Sequence, residues 1–233
     1  MVDVRLVPMT STTTLLDREM YTEAHAARLL RLPPGTLHYW LEGGVRRGKT
    51  YKPVIREKAT GAKTVSWAEF VEAGLIRQYR RIHNVPMVEL RNFIESLRQR
   101  LGVPYPLAHE RPFVSGRPLV REAQEEAGID GEFALVAEAS GQYILSAAAQ
   151  EFFERVTWEH DTAVRWRPDA SRESPVVIDP DVRFGAPSVG GISTEILWEQ
   201  SEGGEDDHDL ANIFGLSLAQ VRWALAYEAT QAA

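Results

Sequence analysis

The sequence predicts a mainly α-helical protein in three parts: a helix-turn-helix with a wing at residues 15–108, a small β-rich middle section at 109–170, and a three-helix, helix-turn-helix-like domain at 171–233. Three observations predict it. Residues 22–42 hold two short runs with apolar positions at helical spacing, split by Leu32-Pro33-Pro34-Gly35 and followed by a cationic arm. Residues 206–227 repeat the pattern of helix, short turn and helix. The charge is divided: residues 1–108 carry 17 basic and 10 acidic residues, a net +7, whereas residues 109–233 carry 9 and 23, a net −14. A basic front and an acidic rear suit a front that meets a polyanion and a rear that meets something else.

Thr22 is placed to cap the first helix, whose apolar face is Ala26, Ala27 and Leu30. The paired prolines stop that helix, and one of them can start the next. Leu37, Trp40 and Leu41 form the inner face of the second helix, leaving Thr36, His38 and Tyr39 to look partly outward. From Arg46 onward come Arg46, Arg47, Lys49, Lys52, Arg56, Lys58 and Lys63 against a single acid, Glu57, with a strand expected over residues 51–55. Such a hairpin suits a phosphate-gripping wing, although a charge run also reads as a solvated loop. Ser66-Trp67-Ala68-Glu69 has the form of a capping box before a helix with Val71, Leu75, Tyr79 and Ile82 inside. Arg77, Arg80 and Arg81 crowd its end, to complement the helix terminus or to touch phosphate. Met87, Leu90, Ile94, Leu97 and Leu101 then make one apolar seam, closed by Gly102.

Tyr21-Thr22, Ala27, Leu32 and Pro34-x-Thr36-Leu37-x-Tyr39-Trp40 resemble the opening of MerR-type winged-helix regulators, with His38 where that family usually has arginine. The resemblance implies that the helix at Pro34 reads DNA. It also implies that the helix at Met87 leads toward a dimer interface, and a homodimer is expected to read a two-fold site.

In the middle section, Phe113-Val114, Leu119-Val120, residues 133–136 and residues 143–145 read as short strands between glycines, and residues 147–156 as the one helix. Trp158, Val164 and Trp166 continue as strand. Arg121-Glu122-Ala123-Gln124-Glu125-Glu126-Ala127-Gly128-Ile129 resembles the second half of the Nudix hydrolase box, without its first half. An exposed acidic turn accounts for it better than a metal site.

In the last part, residues 176–178 form a short strand, Ser193 or Thr194 caps a helix holding Ile196, Leu197 and Trp198, and Asp206, Asp207 and Asp209 open the next. Ser217 caps the final helix, with Leu218, Val221, Ala224 and Leu225 along one stripe. Val177-Ile178-Asp179-Pro180, Phe184-Gly185-x-Pro187-x-Val189-x-Gly191-Ile192, Glu195, and the run from Leu210 through Phe214-Gly215-Leu216-Ser217 to Tyr227-Glu228 resemble the antitoxin-like helical domain of VapB-type antitoxins. The resemblance implies a toxin-antitoxin system in which the protein masks a PIN-domain ribonuclease and represses its own operon. Three aspartates against Arg222 argue against DNA at the rear. Arg183, Trp198, Arg222 and Trp223 are the candidate toxin contacts, an arginine being suited to a carboxylate cluster. Both tryptophans read equally as core.

Zero cysteines exclude disulfides and thiol chemistry. Residues 1–17 lack a secretion signal pattern and no apolar run approaches a membrane span, so a cytoplasmic placement is expected. The combined expectation is a non-enzymatic, DNA-binding antitoxin using Thr36, His38, Tyr39, Arg46, Arg47, Lys49, Lys52, Arg56, Arg77, Arg80 and Arg81 on operator DNA, with no metal or cofactor. The alternatives are a stand-alone MerR-like regulator and a metal-dependent hydrolase using Glu122, Glu125 and Glu126.

Overall fold

A computed structural model describes residues 14–80, 85–129 and 134–232. Strand β1 (Glu19–Thr22) pairs antiparallel with β4 (Thr64–Ser66), and everything between them forms the front of the molecule. Helix α1 (Glu23–Leu29) begins where the Thr22 hydroxyl accepts the amide of His25. Helix α2 (Pro34–Glu42) begins on proline and buries Leu37, Trp40 and Leu41, the three residues that the spacing puts inside. A short hairpin follows, β2 (Gly44–Arg46) with β3 (Lys49–Tyr51), turning at Arg47-Gly48 with positive φ at both. The expected strand over 51–55 is replaced by a loop. The amides of Val54 and Ile55 fold back onto the Trp40 carbonyl at 2.8 and 3.1 Å, burying both side chains against α2.

Helix α3 (Trp67–Gln78) carries the expected capping box between Ser66 and Glu69 and is buried on nearly every side. Helix α4 (Met87–Leu101) ends at Gly102 in the left-handed region. Its seam of Leu90, Phe93, Ile94 and Leu97 is buried, and its main neighbour is α5 (Arg117–Ala127). The seam is therefore occupied within the subunit and does not supply an open dimer face. Leu119 and Val120, expected as strand, lie in α5. Pro118 in its first turn and left-handed Gly128 at its end fit a helix, and Val120, Ala123, Gln124 and Ala127 make its buried stripe. The expected acidic turn is thus the outer face of a helix, and Phe113 lies in a single 3-10 turn. Two hairpins follow, β5 (Val136–Ala139) with β6 (Gln142–Leu145) and β7 (Val156–Glu159) with β8 (Thr162–Trp166). Between them lies α6 (Ala147–Arg155).

A single cluster of buried side chains runs from Leu16 to Ile178. Phe70 packs edge-on to Trp166 at 5.2 Å, and the Trp67 indole N–H donates to the Ala163 carbonyl at 2.6 Å. The boundary expected at residue 108 therefore divides no core. The rear has its own smaller cluster of Val176, Val189, Leu197, Ala224 and Tyr227. It is built from β9 (Ser188–Val189), β10 (Ile192–Ser193), α7 (Thr194–Glu202), α8 (Asp207–Phe214) and α9 (Leu218–Ala232). The Asp206 carboxylate caps α8 by accepting the amides of His208 and Asp209, and Gly215 closes it in the left-handed region.

The rear is stitched to the front. Trp166 and Ile178 exchange backbone hydrogen bonds, Arg18 pairs with Asp181 at 2.6 Å, and the Tyr21 hydroxyl donates to the Gly185 carbonyl at 2.7 Å. Gly185 has φ +74, and a Cβ there would strike the Tyr21 hydroxyl and the Met20 methyl.

The expected mainly α class does not describe this molecule. Five two-stranded antiparallel sheets are distributed along the described chain between nine α-helices, which makes it a mixed α and β fold. Among the described residues no helix is long and apolar enough to cross a membrane.

Candidate functional site

The residues expected to meet nucleic acid divide into three groups. The first is an exposed cationic-aromatic face. The Arg46 guanidinium lies 3.9 Å over the Tyr39 ring, and Lys49 lies 5.6 Å from the Tyr51 ring. Arg47 occupies the exposed hairpin tip. Sequence reasoning missed Arg91, which reaches across from α4: it stands 5.6 Å over Tyr51, donates to the Lys52 carbonyl at 2.9 Å and approaches the Tyr39 hydroxyl at 3.4 Å. Its position on the polar side of α4 is visible in the sequence, but its neighbours are not. Stacking on a ring holds each guanidinium in place while leaving its N–H groups available.

Gly43 makes this arrangement possible. Its φ is +71, and a Cβ would collide with the Tyr51 carbonyl, so glycine lets the hairpin start directly against α2. Lys52 is exposed beside the hairpin.

The second group surrounds a hollow of about 260 Å³ beneath α2, lined by Thr36, Tyr39, Arg46, Arg77, Arg80 and Met87 among others. Residues from α2, the hairpin and the end of α3 thus converge. Arg80 is anchored by donating to the Val85 carbonyl. Arg81 lies outside the described residues. His38 points elsewhere, with Nδ1 2.9 Å from the Glu23 carboxylate, and joins α2 to the start of α1.

Arg56 forms the third group and corrects the expectation that it grips phosphate. It is 5% exposed. Its guanidinium bonds Glu69 at 2.6 and 3.1 Å, Glu42, the Thr60 hydroxyl at 2.8 Å and the Thr64 carbonyl at 2.8 Å. Glu42 also accepts the amides of Thr60 and Gly61. Burial opposes the charged form of Glu42, but these amides, the hydroxyl and the guanidinium outweigh it and hold the carboxyl below its ordinary range. Arg56 is therefore an internal rivet fastening loop 56–64 to the end of α2.

At the rear, Arg222 on α9 is ion-paired with Asp207 at 3.1 Å, Trp223 packs against the rear core, and Trp198 is half-buried. Arg183 is exposed, with Nε donating to the Gly191 carbonyl at 2.9 Å. Beside it Phe184 is 91% exposed, and both residues have positive φ, a conformation that costs energy in non-glycine residues. Sequence reasoning missed Phe184 as a surface group, because an isolated phenylalanine ordinarily reads as core.

The acidic face of α5 is spent on ion pairs. Arg100 bonds Glu122 at 2.5 Å and Glu126 at 3.2 Å, and Arg121 bonds Glu125 at 2.7 Å. Among the described residues no group of three or more histidines and carboxylates is placed to hold a metal.

These features define a mixed α and β protein with a cationic-aromatic front and an acidic helical rear. No family model matches the chain. The "Uncharacterized protein Rv2308" of Mycobacterium tuberculosis is 35% identical over 232 residues, spanning 93% of each protein, and the chain belongs to the same family as that protein. The "Putative antitoxin VapB45" of the same organism is 25% identical over 225 residues, covering 90% of this chain and 93% of that protein. The crystal structure of Rv2018 from Mycobacterium tuberculosis superposes with a TM-score of 0.73 at 24% identity, covering 90% of this chain and 99% of the other, and so shares the fold.

Proposed function

We propose that the protein is an antitoxin whose front binds double-stranded operator DNA and whose rear engages a PIN-domain ribonuclease toxin. The observation that carries the DNA half is the stack of exposed Arg46 on half-buried Tyr39, with exposed Arg47 and Lys49 and half-buried Arg91 beside it. Cations held on aromatic rings beside a helix can neutralise phosphates without first being ordered. The similarity to the "Putative antitoxin VapB45" supports the toxin half. Arg183 and the protruding Phe184 offer a charged and an aromatic contact on one turn, residue types enriched at protein interfaces.

The DNA half is tested by fluorescence anisotropy on the protein's own promoter fragment. Replacing Arg46 and Arg47 together with alanine should weaken binding to all sequences and flatten the log–log salt slope by about 2. Unchanged binding would remove the hairpin from the interface. The toxin half is tested by co-expression with the adjacent reading frame: co-purification with a ribonuclease that is lost in Phe184→Ser supports it, and no complex in the unaltered pair sinks it.

A further inference from the structure

We propose that the cleft between α1 and α9 is a binding site for a small polyanion carrying two or more phosphate or carboxylate groups. The cleft encloses about 320 Å³, within the range of small-molecule sites and far too small for a nucleic-acid duplex. Arg31, Arg77 and Arg155 line it, with Asp169 as the one acid on its wall. It is bounded by the loop after α1, by α3, by the end of α6 and by α9, so its cations arrive from separate elements.

Two of these arginines are held in place. Arg155 stands 5.5 Å over the Trp166 ring, donates from Nε to the Arg167 carbonyl at 3.0 Å, and also bonds the Pro168 carbonyl. Glu151 is a weak partner at 3.4 Å. Arg31 donates to the Thr230 hydroxyl at 2.5 Å across the seam between front and rear. Apart from Glu151, the hydrogen-bond partners of Arg31 and Arg155 inside the fold are neutral oxygens.

A second observation is independent of charge. Trp166, 4% exposed and part of the wall, has an indole N–H buried without an acceptor. An unmet donor on a ring that carries the Arg155 guanidinium suits an oxyanion, which accepts several hydrogen bonds and pairs with guanidinium in a bidentate manner. A ligand here would bridge the front loop at Arg31 and the rear helix α9.

Isothermal titration of the full chain at low salt tests this, with pyrophosphate as one probe and citrate as the other. A saturable one-site heat with either probe is expected. Arg31→Gln and Arg77→Gln should each weaken it by about tenfold, the effect of losing one charge-assisted contact. Trp166→Phe, which keeps a packing ring but deletes the N–H, should weaken it less, and Arg47→Gln at the hairpin tip should leave it unchanged. Circular dichroism checks that each variant is folded. Absence of saturable heat with both probes overturns the proposal. So does a heat that survives both Arg31→Gln and Arg77→Gln, or one that Arg47→Gln removes.

Discussion

The two helix pairs of this molecule, α1–α2 at the front and α8–α9 at the rear, are built alike and charged in opposite ways. In the front pair the acids are turned inward: Glu23 bonds His38 and Glu42 bonds Arg56, while Arg46, Arg47 and Lys49 stay exposed on the adjoining hairpin. In the rear pair the cation is the paired group. Arg222 is tied to Asp207, while Asp206 and Asp209 face solvent. A shared local geometry therefore presents a surface attractive to phosphate in one case and repulsive in the other. Which residues neutralise one another decides the outcome, and helical pattern alone does not.

The largest effect is expected at Arg56. Arg56→Ala should destabilise the protein by about 3–5 kcal/mol in urea denaturation, because Glu42 and Glu69 would remain buried without their partner. A loss below 1 kcal/mol, on the order of an exposed pair, would mean that the front handles its charges as the rear does.

Burial pushes the Glu72 carboxyl up to about 8, although the Leu107 amide bonds it at 2.9 Å. Between the ordinary value of 4.5 and about 8 the folded state keeps a proton that the unfolded state has released. Stability from this group is therefore present at low pH and falls as pH rises through that window. Glu72→Gln should flatten the fall in denaturation midpoints measured from pH 5 to pH 8. At the rear, burial also raises Glu228, but that side chain is only half-buried and accepts a bond from the Thr194 hydroxyl. Glu228→Gln should change the profile less, and an equal or larger change would reverse the assignment.

The smallest effect belongs to Arg222→Ala. Its pair with Asp207 is largely solvated, so stability should change by no more than about 0.5 kcal/mol. DNA affinity should not fall, whereas a clear loss would place the rear on the nucleic acid.

Much of the frame was legible in the sequence because it is enforced locally. The capping box at Ser66 and Glu69, the acidic opening of α8 at Asp206, and the glycine stops at 102 and 215 all depend on residues a few positions apart. The turn between α1 and α2 and the inward face of α2 were readable for the same reason. The site was legible in part. Tyr39 and Arg46 could be marked as surface groups, but the ring-to-guanidinium stacking and the arrival of Arg91 depend on how α4 is placed. Arg56 sits in a run of cations whose other members are mostly exposed. The clue to its burial was the apolar Pro53-Val54-Ile55 before it, which competes with a reading based on charge alone. Helix α5 was misread because the β-prone Leu119-Val120 pair outweighed the helix-forming residues after it, although packing on α4 decides its state.

At Gly185 the two halves of the molecule meet where there is no side chain. Any other residue would need both a backbone turn it resists and space already taken by Tyr21 and Met20. One of the contacts that align front and rear thus rests on a missing carbon. A single methyl at this one position would force Tyr21 and Met20 aside and so disturb the hydroxyl-to-carbonyl bond that helps join the two halves.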